Sequence, residues 1–403
     1  MIAAITSRYP YGSKEAFLHA EIAELARSFD VAVYPALADP RAPMRAIPGV
    51  RRCEARALVA ADVMRDAVAE WLRSPARVWR TFLAVVRAPR ALHARIKNAL
   101  IFPKALSLAR SARLARVSHV HAYWLSTPAT IAFVISRLNG IPWSASGHRY
   151  DLVNFNIGSG AHPYAGFVST ASFVRLISQR GRALAERALE TSPEPRIFTL
   201  HLGVVLPTRL APIRRNGVLR IICAANLERV KGHETLLRAL ADCAGRGIAF
   251  ECTLAGDGSE RSRLYDLVAR LDLCDRVRFV GVIPHDDLLE RLRGGAFDLA
   301  VLTSIDEGPA QCEGIPIFAI ECMAAGVPIV ATRSGAIDEA IVDGCNGLLA
   351  PVGDAPAIAR AIARLAHDER ERARLRDAAR LTVERAFDVT ATARRVARAI
   401  EAA

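Results

Sequence analysis

The sequence predicts an α/β protein built from two parallel-sheet units, and three features predict it. The chain opens as strand, helix, strand over Ile2–Thr6, Glu15–Phe29 and Val31–Tyr34. A second strand–helix series starts at Leu219 and runs to Ala331. Between the two series, Pro207–Gly217 is rich in Pro and Arg and reads as a linker. Strands that alternate with helices pair in parallel, because each connection must cross over the sheet. A chain of 403 residues has ample length for two or three such domains.

Taken in order, Ile2–Thr6 is a short apolar strand and Ser7–Ser13 a turn-rich loop. Glu15–Phe29 follows with Phe17, Ile22, Leu25 and Phe29 at helical spacing. Gly12 lies beyond the carboxyl end of the first strand, where such sheets bind ligands and where a residue without a side chain lets the backbone come close. No GxGxxG is present there, so the loop alone identifies nothing. Arg41–Arg116 is the least regular stretch. Within it, Trp71–Arg95 reads as amphipathic, with Trp79, Phe82, Leu83 and Val86 on one face and Arg73, Arg77, Arg80 and Arg87 as polar partners. Ser118–Tyr123 is a strand containing His121, which reads as structural. Ser126–Leu138 is a helix and Pro142–Gly147 a strand, which leaves His148 at a strand's carboxyl end with Asp151 just beyond. Val174–Ser178, Arg180–Leu189 and Ile197–Leu200 complete the first domain. The second domain's strands are Leu219–Ala225, Ala249–Ala255, Val277–Val280, Leu299–Thr303 and Ile329–Ala331. Its helices are Glu234–Gly245, Glu260–Leu271, Asp286–Arg293 and Ile317–Ala325. Pro356–Ala366, Asp368–Val383 and Thr390–Ala402 are helical. The domain limits are 1–206, a linker at 207–217, 218–386, and a last helix within 387–403.

Charge is unevenly spread. Residues 1–206 carry 27 Lys and Arg against 13 Asp and Glu, and residues 207–403 carry 27 against 28. Between Trp71 and Tyr150 there are 13 basic residues and no acidic one. A block of one sign this long points to an anionic partner. Aromatic and basic residues on one helix suit an anionic membrane surface; an Arg-rich solvated helix fits the same residues. No nucleic-acid recognition motif accompanies the charge, so nucleic acid is not expected as a partner. No apolar run reaches the length that spans a bilayer, and Met1–Ile5 is too short for a signal-peptide core. The eight cysteines show no CxxC spacing, and Cys223, Cys243, Cys252 and Cys322, which lie in apolar contexts, read as reduced core residues of a cytoplasmic protein.

The most informative stretch is Glu307–Gly326, EGPAQCEGIPIFAIECMAAG. Loop residues Gly308, Pro309, Gly314 and Pro316 lead into the helix Ile317–Ala325, and Gly326 and Pro328 end it. Glu313 stands at the helix mouth and Glu321 eight positions on. At ~1.5 Å and ~100° per residue they lie roughly 12 Å apart along the axis with about 80° of rotation between them. Both carboxylates can serve one elongated polar ligand, with phosphate seated between them on first-turn N–H groups. The same pair also suits an ordinary helix, with Glu313 complementing the dipole and Glu321 on a wet face, and the spacing does not choose.

The motif EGIPIFAIECMAAGVPIVAT, followed by SGAIDEAIVDGCNGLL at Ser334–Leu349, resembles the paired-glutamate motif of the large family of retaining glycosyltransferases that contains bacterial glycogen synthase, sucrose synthase and phosphatidylinositol mannosyltransferase. The EGIP variant is most similar to transferases of exopolysaccharide and colanic acid assembly. The resemblance implies the GT-B architecture: two Rossmann-like domains facing across a cleft, with the last helix crossing back to the first domain. It implies an enzyme that moves a sugar, with retention and without a metal, from a nucleotide diphosphate sugar to a glycan or lipid-linked hydroxyl in cell-surface polysaccharide biosynthesis. It implies no cofactor and a location in the cytoplasm or at the inner face of the cytoplasmic membrane.

By the same resemblance, Glu313 holds donor-sugar hydroxyls, Glu321 the ribose, and Gly314 with the N–H groups of Ile317 and Phe318 the diphosphate. Lys231 and Gly232 match the family's Lys-Gly, while Asn226 stands where the family carries an Arg. His148 matches the His that reaches the transferred sugar, and Asp151 a structural Asp. Gly12 approaches from the first domain, and Gly281–Ile283 flank the base. No Asp-x-Asp is present to hold a divalent ion on the diphosphate. A nucleotide-sugar epimerase of the same architecture and a weakly catalytic scaffold that binds nucleotide-sugar are the alternatives. An NAD-dependent oxidoreductase lacks its glycine fingerprint here.

Overall fold

The computed structural model describes residues 1–12, 15–89, 92–153, 165–188, 196–213, 217–306 and 314–403. The chain divides into two compact units, Met1–Gly203 with Val389–Ala403, and Val204–Asp388.

The first unit carries strands β1 (Ile2–Thr6), β2 (Val31–Pro35), β3 (Val50–Cys53), β4 (His119–Ala122), β5 (Trp143–Gly147), β6 (Phe173–Leu176) and β7 (Arg196–Thr199). They form one parallel sheet in the order β3-β2-β1-β4-β5-β6-β7. Helices α1 (Leu18–Ser28), α2 (Ala61–Arg73), α3 (Pro75–Arg87), α4 (Leu92–Leu114), α5 (Thr127–Asn139), α6 (Arg149–Val153), α7 (Ala165–Val168) and α8 (Gln179–Ala188) connect them. The second unit is a six-stranded parallel sheet of β8 (Leu219–Ala224), β9 (Phe250–Ala255), β10 (Val277–Gly281), β11 (Leu299–Leu302), β12 (Ile329–Thr332) and β13 (Leu348–Ala350), in the order β10-β9-β8-β11-β12-β13. Its helices are α9 (His233–Gly245), α10 (Arg261–Arg270), α11 (His285–Arg293), α12 (Ile317–Ala325), α13 (Ala355–His367) and α14 (Glu369–Ala386). The last helix, α15 (Val389–Glu401), belongs to the first unit, where Ala393, Val396 and Ile400 share a core with Leu18, Ile22 and Leu25 of α1.

Two points in this topology matter for function. In each sheet the order reverses once, between β1 and β4 and between β8 and β11. Loops leaving these neighbours diverge to opposite faces and open a crevice at the carboxyl edge.

The stretch 41–116 is far more regular than its sequence suggests, holding β3 and three helices. The expected amphipathic element Trp71–Arg95 is not one helix. It breaks at Ser74, and Pro75 starts α3, a first-turn role that suits its missing N–H. The buried face of α3 is Val78, Thr81 and Val85, rather than the one led by Trp79. Thr81 can be buried because its hydroxyl bonds the Arg77 carbonyl at 2.8 Å. Trp79 stays 50% exposed, stacked on Phe82 with ring centroids 5.7 Å apart. Of the stretch read as a linker, residues 207–213 belong to the second unit, where Ala211 is buried and its N–H donates to the Ala325 carbonyl at 2.7 Å.

An ion pair fastens the first unit from inside. Arg175 on β6 bonds both oxygens of Glu21 on α1, at 2.7 and 2.8 Å, with both side chains buried. Its remaining donors reach the carbonyls of Leu200 and His201. A buried guanidinium is tolerable because its donors are shared out in this way.

Candidate functional site

In the second unit the crevice lies between β8 and β11. After β8 the chain turns through Asn226 and Glu228, then makes one short helical turn over Arg229–Lys231. Gly232 ends that turn at φ +63°, and a Cβ there would lie 2.0 Å from the Thr303 carbonyl oxygen. Only glycine fits both demands. The turn is riveted to the segment after β11: the Thr303 hydroxyl donates to the Gly232 carbonyl at 2.9 Å, and the Ile305 N–H donates to the Val230 carbonyl at 2.9 Å. Lys231 is therefore carried on a fixed backbone at the crevice. Asn226 is exposed at the same edge. His233 opens α9, 3% exposed, and neither ring nitrogen has a hydrogen-bond partner. Burial first, then the Lys231 charge, pushes its pKa down to about 4.

The segment after β11 leads toward α12. Asp306 accepts from the Ser334 hydroxyl at 2.7 Å and the Gly335 N–H at 3.2 Å. Glu313, the first carboxylate of the motif, lies outside the described residues. Gly314 is described, and Pro316 caps α12 with Ile317 and Phe318 half-buried in its first turn. Glu321 sits one turn in, 7% exposed, which removes the wet-face alternative for it. Its Oε1 lies 2.6 Å from Nε2 of His285, the first residue of α11. Just before α11, Gly281 at φ +68° and half-buried Ile283 form the strand-end loop expected to flank a base.

In the first unit the crevice lies between β1 and β4. The loop after β1 holds Gly12 at φ +74°, its N–H on the Pro43 carbonyl at 3.0 Å. The N–H groups of Ser7, Arg8 and Tyr9 converge on the Glu15 carboxylate at 3.2, 2.5 and 2.9 Å. The indole N–H of Trp124, just past β4, donates to the same carboxylate. Trp124 stacks on His148 with ring centroids 4.2 Å apart, and Phe17 packs against both rings.

His148 follows β5 and is 6% exposed. Burial and the Arg175 charge push its pKa down to about 3, so its ring is neutral at physiological pH. One ring nitrogen bonds the Tyr123 backbone, while Nε2 is buried without a partner. The Asp151 carboxylate, raised to about 7 by burial, accepts from the His148 N–H at 3.1 Å and from Leu125 and Ser126, so it braces the loops after β4 and β5. His121 is buried between the Ser144 and Ser146 hydroxyls at 2.8 and 2.9 Å, below this edge.

The structure thus sets Lys231, Gly232, Asn226, Ile317, Phe318 and Glu321 around the crevice edge of one sheet, and Gly12 and His148 at that of the other. Sequence reasoning missed Glu15, Trp124 and His285. A strand-end position was the one available signal for Trp124, and His285 follows a strand end in the same way. Among the described residues no group of three His, Cys, Asp or Glu side chains could hold a metal ion.

Comparison with known proteins gives the same picture. Residues 213–382 match the family described as glycosyl transferases group 1. The chain is 33% identical over 183 residues to the amylovoran biosynthesis glycosyltransferase AmsK of Erwinia amylovora, covering 45% of this chain and 44% of that one. The chain spans about half the length of the curated relatives it matches first. Among solved structures, sucrose-phosphate synthase from Thermosynechococcus elongatus superposes with a TM-score of 0.72 at 20% identity, covering 99% of this chain and 98% of that one. Anabaena HepE in complex with UDP-glucose gives 0.70 at 16% identity, with both chains covered completely. The two parallel-sheet units therefore carry the GT-B fold, and residues 213–382 are similar to the glycosyl transferases group 1 family.

Proposed function

We propose that this protein transfers a glycosyl unit from a nucleoside diphosphate sugar to a hydroxyl of a glycan or lipid-linked acceptor in cell-surface polysaccharide assembly. The observation that carries this reading is the second unit's crevice. Lys231 on its clamped turn, the start of α12 and the buried Glu321 line one edge between β8 and β11. A cation and a helix N-terminus suit a diphosphate, and a sunken carboxylate suits ribose hydroxyls. A relative named for amylovoran biosynthesis and a neighbour holding UDP-glucose support the substrate class.

In this reading Glu313 holds hydroxyls of the donor sugar, Gly314 with the N–H groups of Ile317 and Phe318 and Lys231 hold the diphosphate, Asn226 adds a neutral donor, and Ile283 borders the base. Neutral His148 offers Nε2 as an acceptor to a sugar hydroxyl, with Gly12 allowing close approach beside it. The bond from the anomeric carbon to the phosphate oxygen breaks, and the acceptor oxygen bonds that carbon on the same face. The acceptor's proton passes to the departing diphosphate, and the configuration is retained. Lys231 and the helix start neutralise the leaving group in place of a metal ion. The first unit docks at an anionic membrane face through α2 and α3, where Trp71, Leu72 and Trp79 are exposed beside Arg73, Arg80 and Arg87. Among the described residues no helix is long and apolar enough to cross a membrane.

The test is thermal unfolding with UDP, GDP and ADP and their sugar conjugates, run with and without EDTA. One nucleotide family at a hundredfold excess over its Kd is expected to add ~2.7 kcal/mol to the stability of the native state. No shift from any of them would sink the donor-site reading. A shift that EDTA abolishes would sink the metal-free one.

A further inference from the structure

We infer that His285 is a positioning residue for the nucleotide's ribose, acting through Glu321; the inference rests on the donor-site reading above. The two residues lie 36 positions apart in sequence and meet across α11 and α12. His285 Nε2 and Glu321 Oε1 are 2.6 Å apart, with the Glu321 side chain 8% and the His285 side chain 28% exposed. A glutamate tail has three rotatable torsions, and burial alone does not choose among them. The bond to His285 fixes the carboxylate plane by tying up one oxygen. That leaves Oε2 to accept from a sugar hydroxyl in a set direction.

The location adds a second consequence. His285 follows Pro284, four residues beyond Gly281 at the end of β10, and Ile283 of this loop packs on the core. The same hydrogen bond therefore ties the loop that flanks the base to the helix that holds the ribose. Base and ribose contacts are set by one rigid piece of structure, so a nucleotide lacking the ribose hydroxyls meets an oriented carboxylate with nothing to donate to it. A buried acceptor left unpaired is what converts a missing hydroxyl into lost affinity.

The experiment is isothermal titration calorimetry on the full chain. Wild type is first titrated with UDP, GDP and ADP, and the nucleotide that binds is then compared with its 2′-deoxy and 3′-deoxy forms. Wild type is expected to prefer the ribonucleotide by tenfold or more over at least one deoxy form, about 1.4 kcal/mol. His285→Phe keeps the ring's bulk without a donor, and its preference is expected to fall to about threefold or less, through weaker binding of the ribonucleotide. His285→Gln, whose amide can still donate, is expected to keep most of the preference. His285→Ala replaces the Phe variant if that one does not fold. An unchanged preference in the variant without a donor overturns the inference while leaving the donor site standing. Failure of wild type to bind any nucleotide overturns both.

Discussion

Below pH 6.5 the second unit should lose stability through one side chain, His233. Both ring nitrogens are enclosed without a partner, and the folded-state pKa lies near 4 against 6.5 for an ordinary histidine. Burial is the largest cause, the Lys231 charge adds to it, and Glu260 opposes both. The sign is fixed by where the proton goes. Below pH 6.5 the unfolded chain takes up a proton that the folded chain refuses, so stability is lost as pH falls from 6.5 toward 4. At ~1.36 kcal/mol per pKa unit the full loss approaches ~3.4 kcal/mol, and ~2 kcal/mol of it has gone by pH 5. His233→Leu removes this contribution and leaves the others in place. The assay is urea denaturation of wild type and variant at pH 7.5 and pH 5. All four tryptophans lie in the first unit, so fluorescence follows that unit and circular dichroism must report the second. The gap between the proteins should move in the variant's favour by ~2 kcal/mol between the two pH values. Parallel stability curves would refute the reasoning, because they would mean that the ring titrates as it does in water.

Two further outcomes follow from the same structure. Gly232→Ala places a methyl 2.0 Å from the Thr303 carbonyl oxygen at φ +63°, so the Lys231 turn must shift. A stability loss of ~2 kcal/mol or more in chemical denaturation is expected, with weaker nucleotide binding beyond it. A fully stable variant with wild-type affinity would show that the turn is not clamped. Trp79→Ser with Arg80→Glu should abolish sedimentation with vesicles rich in anionic phospholipid while leaving nucleotide binding intact. Undiminished sedimentation would remove α3 from any membrane contact.

Five strands of the second unit were legible to within a residue or two, β11 and β12 because strands buried along their whole length read as unbroken apolar runs. β3 and β13 were missed for opposite reasons. β3, VRRC, is an edge strand with two arginines, and β13 is three residues long. α4 escaped because it buries residues on several sides and carries Pro103, so no single stripe repeats. The positions of Lys231, His148 and Glu321 were readable because a strand end or a helix start brackets each of them. The bonds that hold their surroundings were not. His285 reaches Glu321 across 36 residues and Glu15 reaches Trp124 across 109, and no local pattern encodes a partner at such distance.

The two crevices share a construction despite unrelated sequences. Each needs the loop after its central strand held against the loop after the neighbouring strand, since otherwise the mouth has no fixed shape. In the second unit backbone does this: the Gly232 turn abuts Thr303, and glycine makes the left-handed φ of +63° free of side-chain strain. In the first unit a side chain does it, because the Glu15 carboxylate gathers three N–H groups after β1 and the Trp124 indole after β4. Glu15 also has φ +63°, a conformation that costs a residue with a Cβ ~1–2 kcal/mol. Glycine there would relieve that strain and lose the anchor with it. A strained glutamate persists only where charge-assisted hydrogen bonds, worth ~1.5–3 kcal/mol each, outweigh the strain. His148 depends on this arrangement, since Trp124, which stacks on its ring, is itself held by Glu15.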